Sequence, residues 1–393
     1  MERLNRIISS KKIIIPFFLL ITIVIGTHQL IINKKARDQN GHVYTYYNNY
    51  VIFRQSFYHL AENKDPYQLY PEEHADYYKY SPAFSLFFGI FAIFPDYIGL
   101  NLWNILNTLV LLLAVYYLPH IDNRKKGLIL LACLLELVTS LQNSQSNGLV
   151  AGLMIFSLGF LERGKNFWSA FVIVFWVFIK LFGIVGFALF LLYPQKWKSA
   201  LYSFLWILVL GFIPLIVVSS DQLTTIYQSW WHLLRMDQSA SYGLSLAGLL
   251  HAWTGTEIPK LPVLMTGAVL FFVPFLLTDK FKDYTFRLFL LSEVLIWVII
   301  FNHKAESPGY IIAFAGISIW YVLSEKSYLN TALFIFAFVV TCLSPTDLFP
   351  RSLRNGFFEP YMLKALPVIL VWMKILFDLV FFDRKSTYFC RNS

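Results

Sequence analysis

The chain has 393 residues, of which 57% are hydrophobic, 18% aromatic and only 14% charged. That balance excludes an ordinary soluble globular domain, in which about a quarter of residues are charged, and points to an all-α polytopic membrane protein. The net charge of +9 does not imply nucleic acid, because the Lys and Arg residues stand in short clusters between apolar runs, as they do in cytoplasmic loops.

Arg3, Arg6, Lys11 and Lys12 precede the apolar run Ile13 to Ile32. The run is too long for a signal-peptide core and lacks a small-residue cleavage site, so it reads as a retained first span with the N-terminus inside. In the stretch NNYVIFRQSFYHLAENKDPY, residues 48–67, Tyr50, Phe53, Phe57 and Leu60 recur at helical spacing. Asn49, Arg54, Gln55 and His59 interrupt them, so the segment suits a bilayer surface better than its interior. Pro82 to Pro95 has 14 residues, short of the roughly 20 needed to cross.

Further apolar runs lie at 98–118, 127–141, 147–161, 167–193, 200–218, 260–278, 286–301, 308–323, 328–343 and 361–382. The run 167–193 is interrupted by Lys180 and Gly183. Reading it as a hairpin that turns near Lys180, with 82–95 in the interface, places most basic clusters on one side. These are Arg124 to Lys126, Arg163 with Lys165, Lys196 with Lys198, Lys280 to Arg287, Lys326, and Arg384 with Lys385. The positive-inside rule then gives about twelve spans in a cytoplasmic membrane, with both termini cytoplasmic. External loops follow at 33–97, 219–259 and 344–360; Lys34, Lys35 and Arg37 run against the rule. The whole chain, 1–393, reads as one membrane domain.

The external side gathers the unpaired chemistry, with Asp65, Asp237 and Glu306 among its carboxylates and many Tyr and Trp residues. Aromatic rings and carboxylates suit carbohydrate, and they also suit an ordinary aromatic belt. A lysine such as Lys180 costs about 2.5 to 3.5 kcal/mol at a bilayer centre, so it needs a solvated or paired place, for which a lipid phosphate is the obvious anion. The bland alternative is snorkelling. SLQNSQSNGL, residues 140–149, puts Gln142, Asn143, Gln145 and Asn147 between two spans, either as helix caps or as a hydrogen-bonding floor for hydroxyls. FNHKAESPGY, residues 301–310, puts His303, Lys304 and Glu306 at an external turn, able to hold a phosphate and take a proton or merely to be solvated. His303 has no second His or Cys at ligand spacing, and Cys133, Cys342 and Cys390 form no metal motif, so neither metal nor cofactor is expected.

These features in this order resemble glycosyltransferase family 87, the polyprenol-phosphate-mannose-dependent mannosyltransferases of the GT-C superfamily. The likeness is carried by the helix Asn49 to Leu60, Asp65-Pro66-Tyr67, Tyr78-Lys79-Tyr80-Ser81-Pro82, Trp103 and Asn107. It continues through Gln145-Ser146-Asn147, Glu162-Arg163-Gly164 and Ile179-Lys180-Leu181, and thins to Ser245-Leu246 and Ser307-Pro308. The resemblance implies a GT-C-like bundle with an external amphipathic helix after the first span. It also implies transfer of a mannose-type sugar from a polyprenyl-phosphate donor to a glycan or glycolipid acceptor at the external face, among membrane lipids. Lys180, His303, Lys304 and Arg54 would then face the phosphate, with Asn49, Tyr80, Gln145 and Asn147 lining the substrate site.

The family places an aspartate at the start of the external helix, where this chain has Asn49, and an amide takes no proton at neutral pH. Three accounts stay open: Glu306 or Asp65 serves as the base, the acceptor needs little help, or the chain binds lipid-linked glycans for a partner without transfer. A transporter or flippase is the other class. Against it stand the absence of repeated halves and the scarcity of ionisable residues in the spans beyond Lys180, Glu136, Glu293, Lys374 and Asp378.

Overall fold

The computed structural model describes residues 2–32, 35–37, 41–236 and 241–382. Lys34, Asp237, Arg384, Lys385 and Cys390 lie outside them. Apart from a short antiparallel pair, β1 (Lys35–Arg37) and β2 (Val43–Thr45), the regular structure is helical. The first half holds α1 (Glu2–Ser9), α2 (Lys11–Ile32), α3 (Asn48–Ala61), α4 (Pro82–Ala92), α5 (Asp96–Tyr117), α6 (Asn123–Gln142), α7 (Asn147–Leu161) and α8 (Asn166–Ile179). A 3-10 segment, Leu181–Leu192, leads into α9 (Lys196–Phe212), α10 (Ser220–Met236), α11 (Leu246–Thr254) and α12 (Lys260–Phe272). The chain continues with α13 (Tyr284–Ile300), α14 (Tyr310–Leu323), α15 (Tyr328–Ala337), α16 (Arg351–Leu353) and α17 (Leu366–Val380).

Helix starts follow local chemistry. Ser81 accepts the N–H of Phe84 at 3.2 Å and Pro82 opens α4, where its missing N–H leaves no bond unmade. Asp122 caps α6 through Lys125 N–H at 2.9 Å. Two glycines allow close helix contacts: a Cβ on Gly152 would lie 2.7 Å from the Val110 carbonyl, and one on Gly316 would lie 2.7 Å from that of Ser292. Hence α7 closes on α5 and α14 on α13, the small-residue packing of helices in lipid.

Among the described residues, Lys11–Ile32, Asp96–Tyr117 and Lys196–Ile216 are long and apolar enough to cross a membrane. A helix of 22 residues extends about 33 Å, the thickness of a hydrocarbon core. Shorter apolar helices accompany them, four of which, Leu181–Leu192, Lys260–Leu276, Ser307–Leu323 and Tyr328–Leu343, include 3-10 or π turns. Helix α4, with 11 residues, reaches only about 17 Å. Leu201, Phe204 and Phe212 on α9 and Leu20 and Val24 on α2 are exposed, an apolar surface suited to lipid.

Helix α3 has the helical spacing read from the sequence, yet its apolar face meets protein. Phe53 packs against Phe84, Phe88 and Trp103 with ring centroids 5.3 to 5.9 Å apart, and Tyr50, Ile52, Ser56 and His59 are buried as well. The aromatic residues of α4 and α5 supply more apolar area to cover than a single helix stripe, so they enclose α3. The loops 219–259 and 344–360 hold helices of their own, α10, α11 and α16.

At Lys180 the backbone becomes extended, with φ −142° and ψ 121°. The chain then turns back along α8. Gly183 faces the Val177 backbone, where a Cβ would come within 2.8 Å, and Gly186 faces Trp176 and Ile173.

Candidate functional site

One end of the bundle brings together the C-termini of α2, α6, α8 and α13 and the N-termini of α3, α7 and α14. The four-residue passage from α6 to α7, with the last residue of α6, is held there by three side chains from elsewhere. Gln29 donates its amide to the Gln142 carbonyl, Asn49 Nδ2 donates to the Asn143 carbonyl at 2.9 Å, and Trp103 Nε1 donates to the Ser144 carbonyl at 2.9 Å. Ser144 takes a left-handed conformation, φ +51°, which an L residue adopts only when neighbours fix it.

This turn presents a polar relay. Lys180 Nζ donates to Asn147 Oδ1 at 2.6 Å, Asn147 Nδ2 donates to Gln145 Oε1 at 2.6 Å, and Gln145 Nε2 donates to Glu306 Oε2 at 2.9 Å. Asn147 is fully buried at the first position of α7, Lys180 is half-buried at the break after α8, and Glu306 is exposed before α14. Two amides thus tie an ammonium to a carboxylate, and each amide is oriented because it both donates and accepts. Burial pushes the Lys180 ammonium down to about 8, and the nearby Glu306 carboxylate partly offsets the fall.

Residues 78–301 match the family model of glycosyltransferase family 87. The chain belongs to glycosyltransferase family 87. No curated protein matches it. In this family 87 glycosyltransferase the matched stretch contains Tyr80, Gln145, Asn147 and Lys180, while Asn49 and Asp65 precede it and Glu306 follows it.

Other residues singled out in the sequence have different surroundings. Tyr80 stacks on Phe84 at 4.9 Å; burial raises its phenol pKa, and the charge of Glu306 adds to the rise. Arg54 forms an ion pair with Asp96 at the start of α5, so its guanidinium has an anion already. Asp65 accepts Tyr67 N–H and Gln68 Nε2, both at 2.9 Å, and both of its oxygens serve its own turn. His303 lines a cavity of about 390 Å³ with Ser245, Lys260 and Phe301. The Lys304 backbone N–H donates to Asn302 Oδ1 at 3.0 Å. Gln145, Asn147, Lys180 and Glu306 are therefore joined in one hydrogen-bonded chain, with Asn49 on the adjoining turn.

Two buried ion pairs were not legible as pairs, although Glu136, Glu162 and Arg287 each stood out singly in the sequence. Lys364 Nζ donates to both Glu136 oxygens, at 2.9 and 3.1 Å, and to Ser307 Oγ at 2.8 Å, directly after Glu306. At the other end of the bundle Arg287 clamps Glu162 through Nε at 2.5 Å and Nη2 at 2.8 Å, with the Tyr193 hydroxyl on the same carboxylate. A lysine inside the run 361–382 signals a partner, but Glu136 is 228 positions away and no local pattern links them.

Proposed function

We propose that this family 87 glycosyltransferase moves a mannose-type hexose from a polyprenyl phosphate to a hydroxyl of a glycan or glycolipid at the external face of the cytoplasmic membrane. The observation that carries this reading is the relay from Lys180 to Glu306, which sets a cation for a phosphate and a carboxylate for a hydroxyl proton at one end of the bundle. The acceptor oxygen attacks the anomeric carbon as its proton passes to a Glu306 oxygen. The bond from that carbon to the phosphate oxygen breaks, and the lipid phosphate leaves with its electron pair. Lys180 and the N-terminus of α7 stabilise the departing charge, the helix through its dipole.

Asn49 fits a supporting part. Its Nδ2 donates to the Asn143 carbonyl, a bond that an ionised aspartate cannot make. The residue steadies the turn that carries Gln145 and Asn147, and proton transfer falls to Glu306.

The charge distribution supports the orientation. Lys126 Nζ donates to the Tyr116 carbonyl at 3.0 Å, Lys11 lies over the Tyr116 ring and Arg163 over that of Tyr117. This cationic end is opposite to the relay along α6, whose 20 residues extend about 30 Å. With the cations in the cytoplasm, the relay faces outward, both termini are inside, and the shorter helices complete about twelve crossings.

The test is transfer of radiolabelled hexose from synthetic polyprenyl phosphate by the purified chain in liposomes. A labelled lipid or glycan product is expected. Uptake of the sugar into vesicles without a product would instead indicate transport.

A further inference from the structure

Glu306 faces two places. Beyond the relay, it lines a cavity of about 990 Å³ whose other walls include Tyr242, His251, Glu257, Lys260 and Glu359. A smaller space of about 250 Å³ adjoins it through Leu244, Ser307 and Glu359; it is lined also by Arg354 and Lys364, whose charges are taken up by Asp347 and Glu136.

The cavity has fixed walls. Leu244 N–H donates to the Ala305 carbonyl and the Tyr310 hydroxyl to the Leu244 carbonyl, both at 2.7 Å, so the segment before α11 is fastened to the loop that carries Glu306. Gly243 has φ +55°, and a Cβ there would meet the His303 carbonyl at 2.7 Å, so only glycine permits this contact. Tyr242 stacks on His251 at 4.6 Å and accepts the Ile258 N–H at 3.1 Å. On the far side of Glu306, Lys364 holds Ser307 in place.

Among the described residues, the lining has three carboxylates, Glu257, Glu306 and Glu359, against one ammonium, that of Lys260. Carboxylates accept hydrogen bonds from hydroxyls and repel phosphate and uronate. The relay side has the opposite character, a half-buried ammonium. We infer that this cavity is the acceptor site and that it takes an uncharged saccharide end, with the reacting hydroxyl directed at Glu306, while the phosphate of the donor is kept on the Lys180 side. The inference rests on the transferase reading for the direction of the reaction, but the selectivity of the cavity can be measured without turnover.

Glu257 and Glu359 are exposed, so Glu257→Gln and Glu359→Gln preserve the fold, which thermal unfolding verifies. Binding to the purified full chain is measured by calorimetry for three probes: a neutral hexose tetrasaccharide, the same tetrasaccharide ending in a uronic acid, and polyprenyl phosphate. The neutral probe is expected to bind at least tenfold more tightly than the uronate. Each Glu→Gln change should weaken it about three- to tenfold, as loss of a hydrogen bond to a charged group in a solvated site does, and leave polyprenyl phosphate unaffected. Equal binding of the neutral probe by wild type and both variants, or tighter binding of the uronate, would overturn the inference. Transfer is assayed separately. Selective binding of the neutral probe without transfer upholds the cavity and removes the transferase reading, whereas transfer that is insensitive to both variants removes the cavity assignment alone.

Discussion

The ammonium of Lys180 and the side-chain oxygen of Asn147 are 2.6 Å apart, and through this contact a break between two apolar helices is fastened to the start of a third. The bond orients Asn147 so that its Nδ2 faces Gln145, and Gln145 in turn faces Glu306.

Replacing Lys180 by Ala should weaken binding of polyprenyl phosphate ten- to hundredfold, the equivalent of about 1.5 to 3 kcal/mol for one charge-assisted contact. Titration calorimetry with the short-chain lipid phosphate measures it. If the loss appears only as a lower yield of folded protein, Lys180 is structural.

The same lysine sets a pH limit. With its pKa pushed down to about 8, the ammonium is complete well below pH 8 and disappears as pH rises through that value. Donor KM should therefore be low and flat on the acid side of pH 8 and rise on the alkaline side. In Lys180→Arg, whose guanidinium does not titrate in this range, the alkaline rise should vanish.

Much of the relay was legible before the fold. Lys180 stood out as a charge in an apolar run, Gln145 and Asn147 as amides between two spans, and Glu306 as a carboxylate at an external turn. Their joining was not, because Lys180 and Glu306 meet only through a turn more than a hundred positions away from the latter. Asp65 and Arg54 illustrate the opposite limit. Sequence shows a charge, but the turn around Asp65 and the pairing of Arg54 with Asp96 depend on how neighbouring segments close. Likewise, the spacing of Tyr50, Phe53, Phe57 and Leu60 gave the helix α3, while its enclosure by Phe84, Phe88 and Trp103 is a property of the packed bundle.

The Lys364 and Glu136 pair is almost wholly buried, with side-chain exposures of 7% and 1%. Lys364→Met leaves a buried carboxylate without its cation, and a cost of about 3 to 5 kcal/mol is expected. Adding Glu136→Gln should recover part of that loss, because the stranded charge is gone. Thermal unfolding of the two single variants and the double variant forms the cycle, and strictly additive effects would show that the pair is not coupled.

The reversal at Lys180 has a topological consequence. Leu181 is 45% exposed, whereas Gly183 has no room for a larger side chain beside Val177, so Leu181→Cys is the suitable probe. It should react with a membrane-impermeant maleimide from outside the cell, and Lys196→Cys, at the start of α9, only after the membrane is opened. Labelling of Lys196→Cys from outside would invert the bundle.

Glu306→Gln offers the most direct measurement, because it keeps the shape of the side chain and its contact with Gln145 but removes the group that takes the proton. With the purified protein and a polyprenyl-phosphate sugar, the rate of transfer should fall by about 10² to 10⁴ while binding of the lipid phosphate stays at the wild-type level. Transfer by Glu306→Gln at the wild-type rate would contradict the assignment of Glu306 as the base.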